Sequence, residues 1–313
     1  MHNSMTRRQL FGASLAAALL RAKSRTGRSR IGAISDEIAL NQEGAIAFAR
    51  QYGLHWLELR SVRGGEGDWK GEYGFLPEAH VREAAKAFKD NGIRISYMDT
   101  SLLKFPFPGS QPVRKKPESE KSRAKHAAGD AEKFERRMDD LRKAIDAAHI
   151  LGATNVRVFA FSRVENPPAF WPRVVPVIEE MVEVAAKEKI HLLIENEAST
   201  NVGTTAEAAE FLKLIPSKWF GLNWDSLNGL PLGENPYPDG YRRIPMDRLG
   251  NVQIKGKTVL DYPEHLDWKA MFEEFDRDGY QGVFGLETHI FGEGQVQASH
   301  DSMKEILRIL GEA

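Results

Sequence analysis

Eight short runs of β-branched and aromatic residues, each followed by an amphipathic helical stretch, fill the chain from Arg30 onward. This alternation restricts the fold more than any other feature, because strand-then-helix repeats build parallel sheets with helical crossovers. The strand candidates are Ile31–Ser35, Trp56–Arg60, Ile93–Met98, Asn155–Ala160, His191–Glu195, Phe220–Trp224, Asn251–Lys255 and Val283–Glu287. Helical patterns cover Glu43–Tyr52, Glu78–Asn91, Lys133–Leu151, Val174–Lys189, Thr205–Leu214 and Trp268–Asp278, and Gln297–Leu310 ends the series. Gly53, Gly92, Gly152 and Gly279 stand where several of these helices should stop, since glycine takes a left-handed terminal conformation without steric cost. Eight units in about 280 residues is the arithmetic of an α/β fold of one kind, a single (β/α)8 TIM barrel. A doubly wound open sheet would put a Gly-rich phosphate loop after its first strand, and none is present.

The 313 residues then divide into 1–30, read as an address with a linker, and 31–313, the barrel. Residues 106–130 break the rhythm after the third strand with prolines, Lys115-Lys116 and alternating charges, and read as a loop insertion, either a solvated excursion or a lid. Gly229–Tyr241, rich in Gly, Pro and aromatics, is a candidate substrate-facing wall. At the front, Thr6-Arg7-Arg8-Gln9-Leu10-Phe11 runs into the small-apolar stretch Gly12–Leu20. This resembles a twin-arginine signal, which implies the Tat export machinery as a partner and a periplasmic or otherwise exported location. The apolar run of about 11 residues falls short of the ~20 that span a bilayer, so no membrane span is expected in the mature chain.

Composition removes whole classes of function. With no cysteine, zinc ribbons, iron–sulfur clusters and thiol nucleophiles are excluded. Lys and Arg number 43 against 44 Asp and Glu, a net charge of −1 without the basic excess of a nucleic-acid binder. Any metal must therefore sit on carboxylates, imidazoles, amides or water.

In a barrel the chemistry lies at the C-terminal ends of the strands. Glu195 ends Leu192-Leu193-Ile194, Asp225 follows Leu222-Asn223-Trp224, Gln253 lies in Asn251–Lys255 and Glu287 ends Gly285-Leu286. Their spacing is about one β/α unit each, so all four can converge at one mouth. Carboxylates beside buried apolar layers require compensation. Three carboxylates and an amide oxygen make a hard site suited to Mn²⁺ or Mg²⁺. The competing reading pairs each acid with a nearby cation such as Arg157 or Lys255.

The strings Ile194-Glu195-Asn196, Trp224-Asp225-Ser226-Leu227-Asn228, Val252-Gln253-Ile254-Lys255 and Leu286-Glu287, with Glu58-Leu59-Arg60, resemble the xylose-isomerase-like sugar phosphate isomerase/epimerase superfamily. The resemblance spans Ile31 to Leu310. It implies one divalent ion, usually Mn²⁺ with Mg²⁺ or Co²⁺ as alternatives, on Glu195, Asp225 and Glu287. Gln253 stands where His is commoner, as in members similar to hydroxypyruvate isomerase. An endonuclease IV type would need several histidines at strand ends, which this chain lacks.

The implied chemistry is proton abstraction beside a carbonyl of a small, unphosphorylated sugar or keto-sugar. Glu195 and Glu287 form the expected acid/base pair, and Lys255 is placed to stabilise an enediolate oxygen. Glu58, Arg60, Asp99, Arg157, Asn228 and His289 are the expected substrate contacts. Isomerase and epimerase lead; a lyase eliminating from a 3-keto-glycoside and a non-catalytic sugar-binding barrel are the alternatives. A homo-oligomer is compatible with the sequence.

Overall fold

A computed structural model describes residues 26–64, 69–113, 120–255, 266–290 and 292–312, with side chains from Lys125 onward in the helix that begins at Glu120. The twin-arginine segment and Lys115-Lys116 lie outside the described residues. Eight parallel strands form one sheet: β1 (Ile31–Ala33), β2 (Trp56–Leu59), β3 (Arg94–Met98), β4 (Asn155–Val158), β5 (His191–Glu195), β6 (Phe220–Asp225), β7 (Leu249–Lys255) and β8 (Phe284–Glu287). Each pairs with its chain neighbour from β2 to β8, and β8 pairs with β1. The seam between β1 and β2 is held by the single parallel bridge Ile34 to Glu58, so the barrel is nearly closed.

Helices follow the strands: α1 (Gln42–Tyr52), α2 (Glu78–Asp90), α3 (Glu120–Glu135), α4 (Arg137–Leu151), α5 (Pro167–Lys187), α6 (Thr205–Leu214), α7 (Trp268–Arg277) and α8 (Gln295–Leu310). Local chemistry sets their ends. Asn41 caps α1 by accepting from the Gly44 N–H, and Gly53 ends it at φ 64°. Thr204 and Glu207 form a reciprocal capping box on α6. Among the described residues, no helix is long and apolar enough to cross a membrane.

Three expectations need correction. The first strand stops at Ala33, and Ser35–Ile38 forms one helical turn; the polar pair Asp36-Glu37 bonds to Arg60 and leaves the strand pattern. The last part of the 106–130 stretch is the first half of α3, because beyond its prolines it is rich in Ala, Lys and Glu, all strong helix formers. Helix α5 begins at Pro167 rather than Val174, with Pro167 in the first turn, where its missing N–H costs nothing, and Asn166 as cap.

Barrel packing explains where the polar centre sits. At the N-terminal end the interior is plugged by Leu193, and Gly250 leaves it room: a Cβ there would meet both Leu193 methyl carbons at 2.6 Å. Toward the C-terminal end the inward positions become polar, namely Glu58, Asn223, Asn251 and Gln253, none more than 1% exposed. Such groups require internal partners, and together they form the floor of the site.

Candidate functional site

The register brings the strand ends together: Asp225 lies beside Gln253, and Lys255 beside Glu287. Glu195 Oε2 accepts from Arg157 at 2.8 Å and from Asn223 Nδ2 at 2.9 Å, while its Oε1 receives one long bond of 3.3 Å from Asn228. Asp225 Oδ1 accepts from the backbone N–H groups of Leu227 and Asn228 at 2.8 and 2.9 Å. Glu287 Oε1 accepts from Arg60 at 2.8 Å. The Lys255 ammonium lies 2.9 Å from Asp225 Oδ2 and 3.3 Å from Glu287 Oε2. The competing reading of the acids, pairing with Arg157 and Lys255, is therefore physically present.

The expected substrate contacts fall into two groups. Glu58 and Asp99 are fully buried below the mouth. Glu58 accepts from Asn251 at 2.9 Å and Gln253 at 3.4 Å, and Asp99 accepts from Gln253 Nε2 at 3.2 Å. Arg157 is fixed by Glu195, Asp99 and the carbonyls of Asp99 and Thr100. These three hold Glu195 and Gln253 from beneath. Arg60, ion-paired with Asp36, Glu37 and Glu287, and Asn228 lie at the rim. His289, half exposed at φ 53°, places Nδ1 3.6 Å from Glu287 Oε1.

Residues that strand-end reasoning passed over complete the network. Asn223 Nδ2 bridges Glu195 Oε2 and Gln253 Oε1 at 2.9 Å each, and Asn251 joins Asn223 to Glu58. The signal was alternation: each Asn stands two residues before a candidate strand-end residue, Asp225 or Gln253, and shares its inward face. Asp36 and Glu37, just past the first strand, were visible only as a polar pair.

Burial and the shared negative charge govern protonation. Burial, with Glu287 and Glu195 nearby, pushes the Asp225 carboxyl up to about 7 against the pull of Lys255. Burial likewise raises Asp99 to about 7 despite Arg157, with Glu195 adding to the rise. Burial and Asp99 hold Glu58 well above the carboxylate range. At Glu287 burial acts upward, but Lys255, His289 and Arg60 outweigh it and keep the group ionised.

Glu197, overlooked in the sequence, spans the mouth to Lys104 at 3.0 Å. Burial acts to raise its carboxyl, yet Lys104 and Lys255 prevail and hold it at about 2, below its ordinary 4.5. A depressed carboxyl contributes stability above the unfolded pKa and loses it as pH falls toward the folded one. Unfolding temperature should therefore drop between pH 4.5 and 2. In Lys104→Met that acid limb should move to higher pH, with a loss near neutrality of about 1–2 kcal/mol after screening of the partly exposed lysine. A pH series of melting curves on both proteins checks this.

The strand-end donors have the chemistry of a divalent-ion site, although the ligand atoms of Glu195, Asp225 and Glu287 do not all lie within 4.8 Å of one another. Each strand-end carboxylate has one oxygen anchored by protein donors, the usual way outer partners orient a ligand. Asp225 Oδ2 and Glu287 Oε2 are buried without a hydrogen-bond partner and face a common cationic point, the Lys255 ammonium. Among the described residues, the acidic and imidazole groups whose ligand atoms all lie within 4.8 Å of one another are Glu37, Glu287 and His289, and Arg60 pairs with both glutamates.

Residues 46–309 match the model of a family described as xylose isomerase-like TIM barrel. The chain belongs to that family. Solved structures sharing its fold include a 3-keto-D-glucoside 4-epimerase from E. coli, at 17% identity and TM-score 0.62 over 90% of this chain and 99% of that one. A probable 3-DHS dehydratase of petrobactin synthesis from Bacillus anthracis is 13% identical, with TM-score 0.63 over 88% and 98%. A xylose isomerase-like TIM barrel protein from Mycobacterium smegmatis in complex with magnesium is 16% identical, with TM-score 0.63 over 94% and 99%. No curated protein matches the sequence. These structures share the barrel fold of this chain.

Proposed function

We propose that the protein is a divalent-metal-dependent isomerase or epimerase that moves a proton beside the carbonyl of a small, unphosphorylated sugar or keto-sugar. The observation that carries this reading is the set of three buried strand-end carboxylates, Glu195, Asp225 and Glu287, each with one oxygen tied to protein donors. Those three, with Gln253, would hold the ion. When bound, it supplies Lewis acidity that polarises a substrate carbonyl and the neighbouring hydroxyl. Glu287, kept ionised by its cationic neighbours, is in the form that accepts a proton from the α C–H. Glu195 provides the second carboxyl for proton return. Asn228 and Arg60 line the rim where sugar hydroxyls would bind, and Arg157 holds Glu195 in place.

Keto-glycosides are favoured substrates because the fold neighbours named above include an epimerase of a 3-keto-D-glucoside. Elimination from the same first intermediate, a lyase reaction, is the second reading, favoured by the dehydratase among those neighbours. Mn²⁺ is the proposed ion, and the Arg7-Arg8 segment is proposed to export the protein through the twin-arginine route.

The test is proton exchange. Protein loaded with Mn²⁺ and incubated in D₂O with ketoses and 3-keto-glycosides should place deuterium at an α carbon of at least one of them, read by mass spectrometry. Binding of those sugars without exchange or turnover would instead establish a sugar-binding barrel.

A further inference from the structure

Three cations touch the strand-end carboxylates, and two are locked in place. Arg60 is clamped on its far side by Asp36 and Glu37, and Arg157 by Asp99 and the carbonyls of Asp99 and Thr100. Lys255 differs from both. Its side chain is 8% exposed, and among the described residues its ammonium is within ion-pair distance of only Asp225 Oδ2 and Glu287 Oε2. Those two oxygens are the ones that no hydrogen bond claims, whereas the partner oxygens of the same carboxylates are tied to backbone N–H groups and to Arg60. A lysine stem has four rotatable carbons and a point charge with no fixed fork, so it can withdraw without dismantling a network.

We propose that the Lys255 ammonium is the built-in cation of the centre, and that a divalent ion binds by displacing it from between Asp225 and Glu287. The inference rests on the metal-dependent reading above and deepens it. Two cations cannot share that point, because like charges a few ångströms apart in a buried site repel strongly. Lys255 therefore holds the carboxylates in position before metal arrives, keeps the buried charges compensated, and lowers the affinity for the ion.

The experiment is calorimetric titration with Mn²⁺ alone, comparing the full chain with Lys255→Met, which keeps length and removes charge. The variant should bind at least about tenfold more tightly, since a competing charge is gone. Without metal it should melt at a lower temperature than the parent and gain more on Mn²⁺ addition, because two buried carboxylates lack their partner. Should the variant not fold, the parent protein carries the test: acetylation of Lys255 by acetic anhydride, followed by peptide mass spectrometry, should be faster with saturating Mn²⁺ than without it. Equal or weaker Mn²⁺ binding in the variant, or Lys255 labelling that Mn²⁺ leaves unchanged or slows, overturns the inference while the metal-dependent reading stands. Absence of Mn²⁺ uptake by both proteins overturns that reading and the inference together.

Discussion

Glu287→Gln should cut proton exchange by at least about a thousandfold, since it removes the proposed general base and a proposed charged ligand at once. The fold should survive the change. Gln has the same volume, its amide oxygen can still accept from Arg60, and Arg60 keeps its pairs with Asp36 and Glu37. Lys255 likewise keeps Asp225 at 2.9 Å. Bound Mn²⁺, measured by mass spectrometry on protein purified without chelator, should fall sharply in the variant while its circular dichroism matches the parent. His289→Ala offers a contrast, because His289 is half exposed and 3.6 Å from the carboxylate; it should retain most of the bound metal. Exchange at the parental rate in Glu287→Gln would rule out the proposed mechanism.

Strand ends were legible in the sequence for a physical reason. An acid that directly follows Leu192-Leu193-Ile194 or Gly285-Leu286 interrupts an apolar run where a barrel has its mouth, and charge in such a place is rarely idle. Asp225 and Gln253 were legible in the same way, and the eight-unit rhythm located the strands within a few residues. What escaped was chemistry inside the runs. Asn223 and Asn251 look like weak strand residues until the register shows them facing inward, where their amides link Glu195, Gln253 and Glu58. The pairing of Lys255 with Asp225 and Glu287 was legible only as one of two competing readings of the acids, since period-two alternation assigns a face but not a partner. Helix α3 was masked by its proline-bearing flank, and Asp36-Glu37 by the assumption that the strand continued.

The floor of the barrel should prove as sensitive as its mouth. Gly285 lies on β8 beside Gln253, and a Cβ added there would overlap the carboxyl of Glu58. Glu58 has no vacant space to enter, being fully buried and bonded to Asn251 and Gln253. Gly285→Ala should therefore destabilise the fold by about 2–4 kcal/mol, the cost of overpacking together with lost hydrogen bonds to a buried carboxyl. The strain should reach the proposed ligand set. Gln253 Nε2 is held by Glu58 and Asp99, so displacing Glu58 frees the amide to turn and weakens Mn²⁺ binding, although Gly285 itself touches no ion. Glu58→Ala in the same chain removes the clash, so denaturant titrations of the two single variants and the double should show a loss smaller than the sum of the single losses. Strict additivity, or a Gly285→Ala protein as stable as the parent, would show that the Glu58 carboxyl does not pack against β8 and that the floor does not hold Gln253 in place.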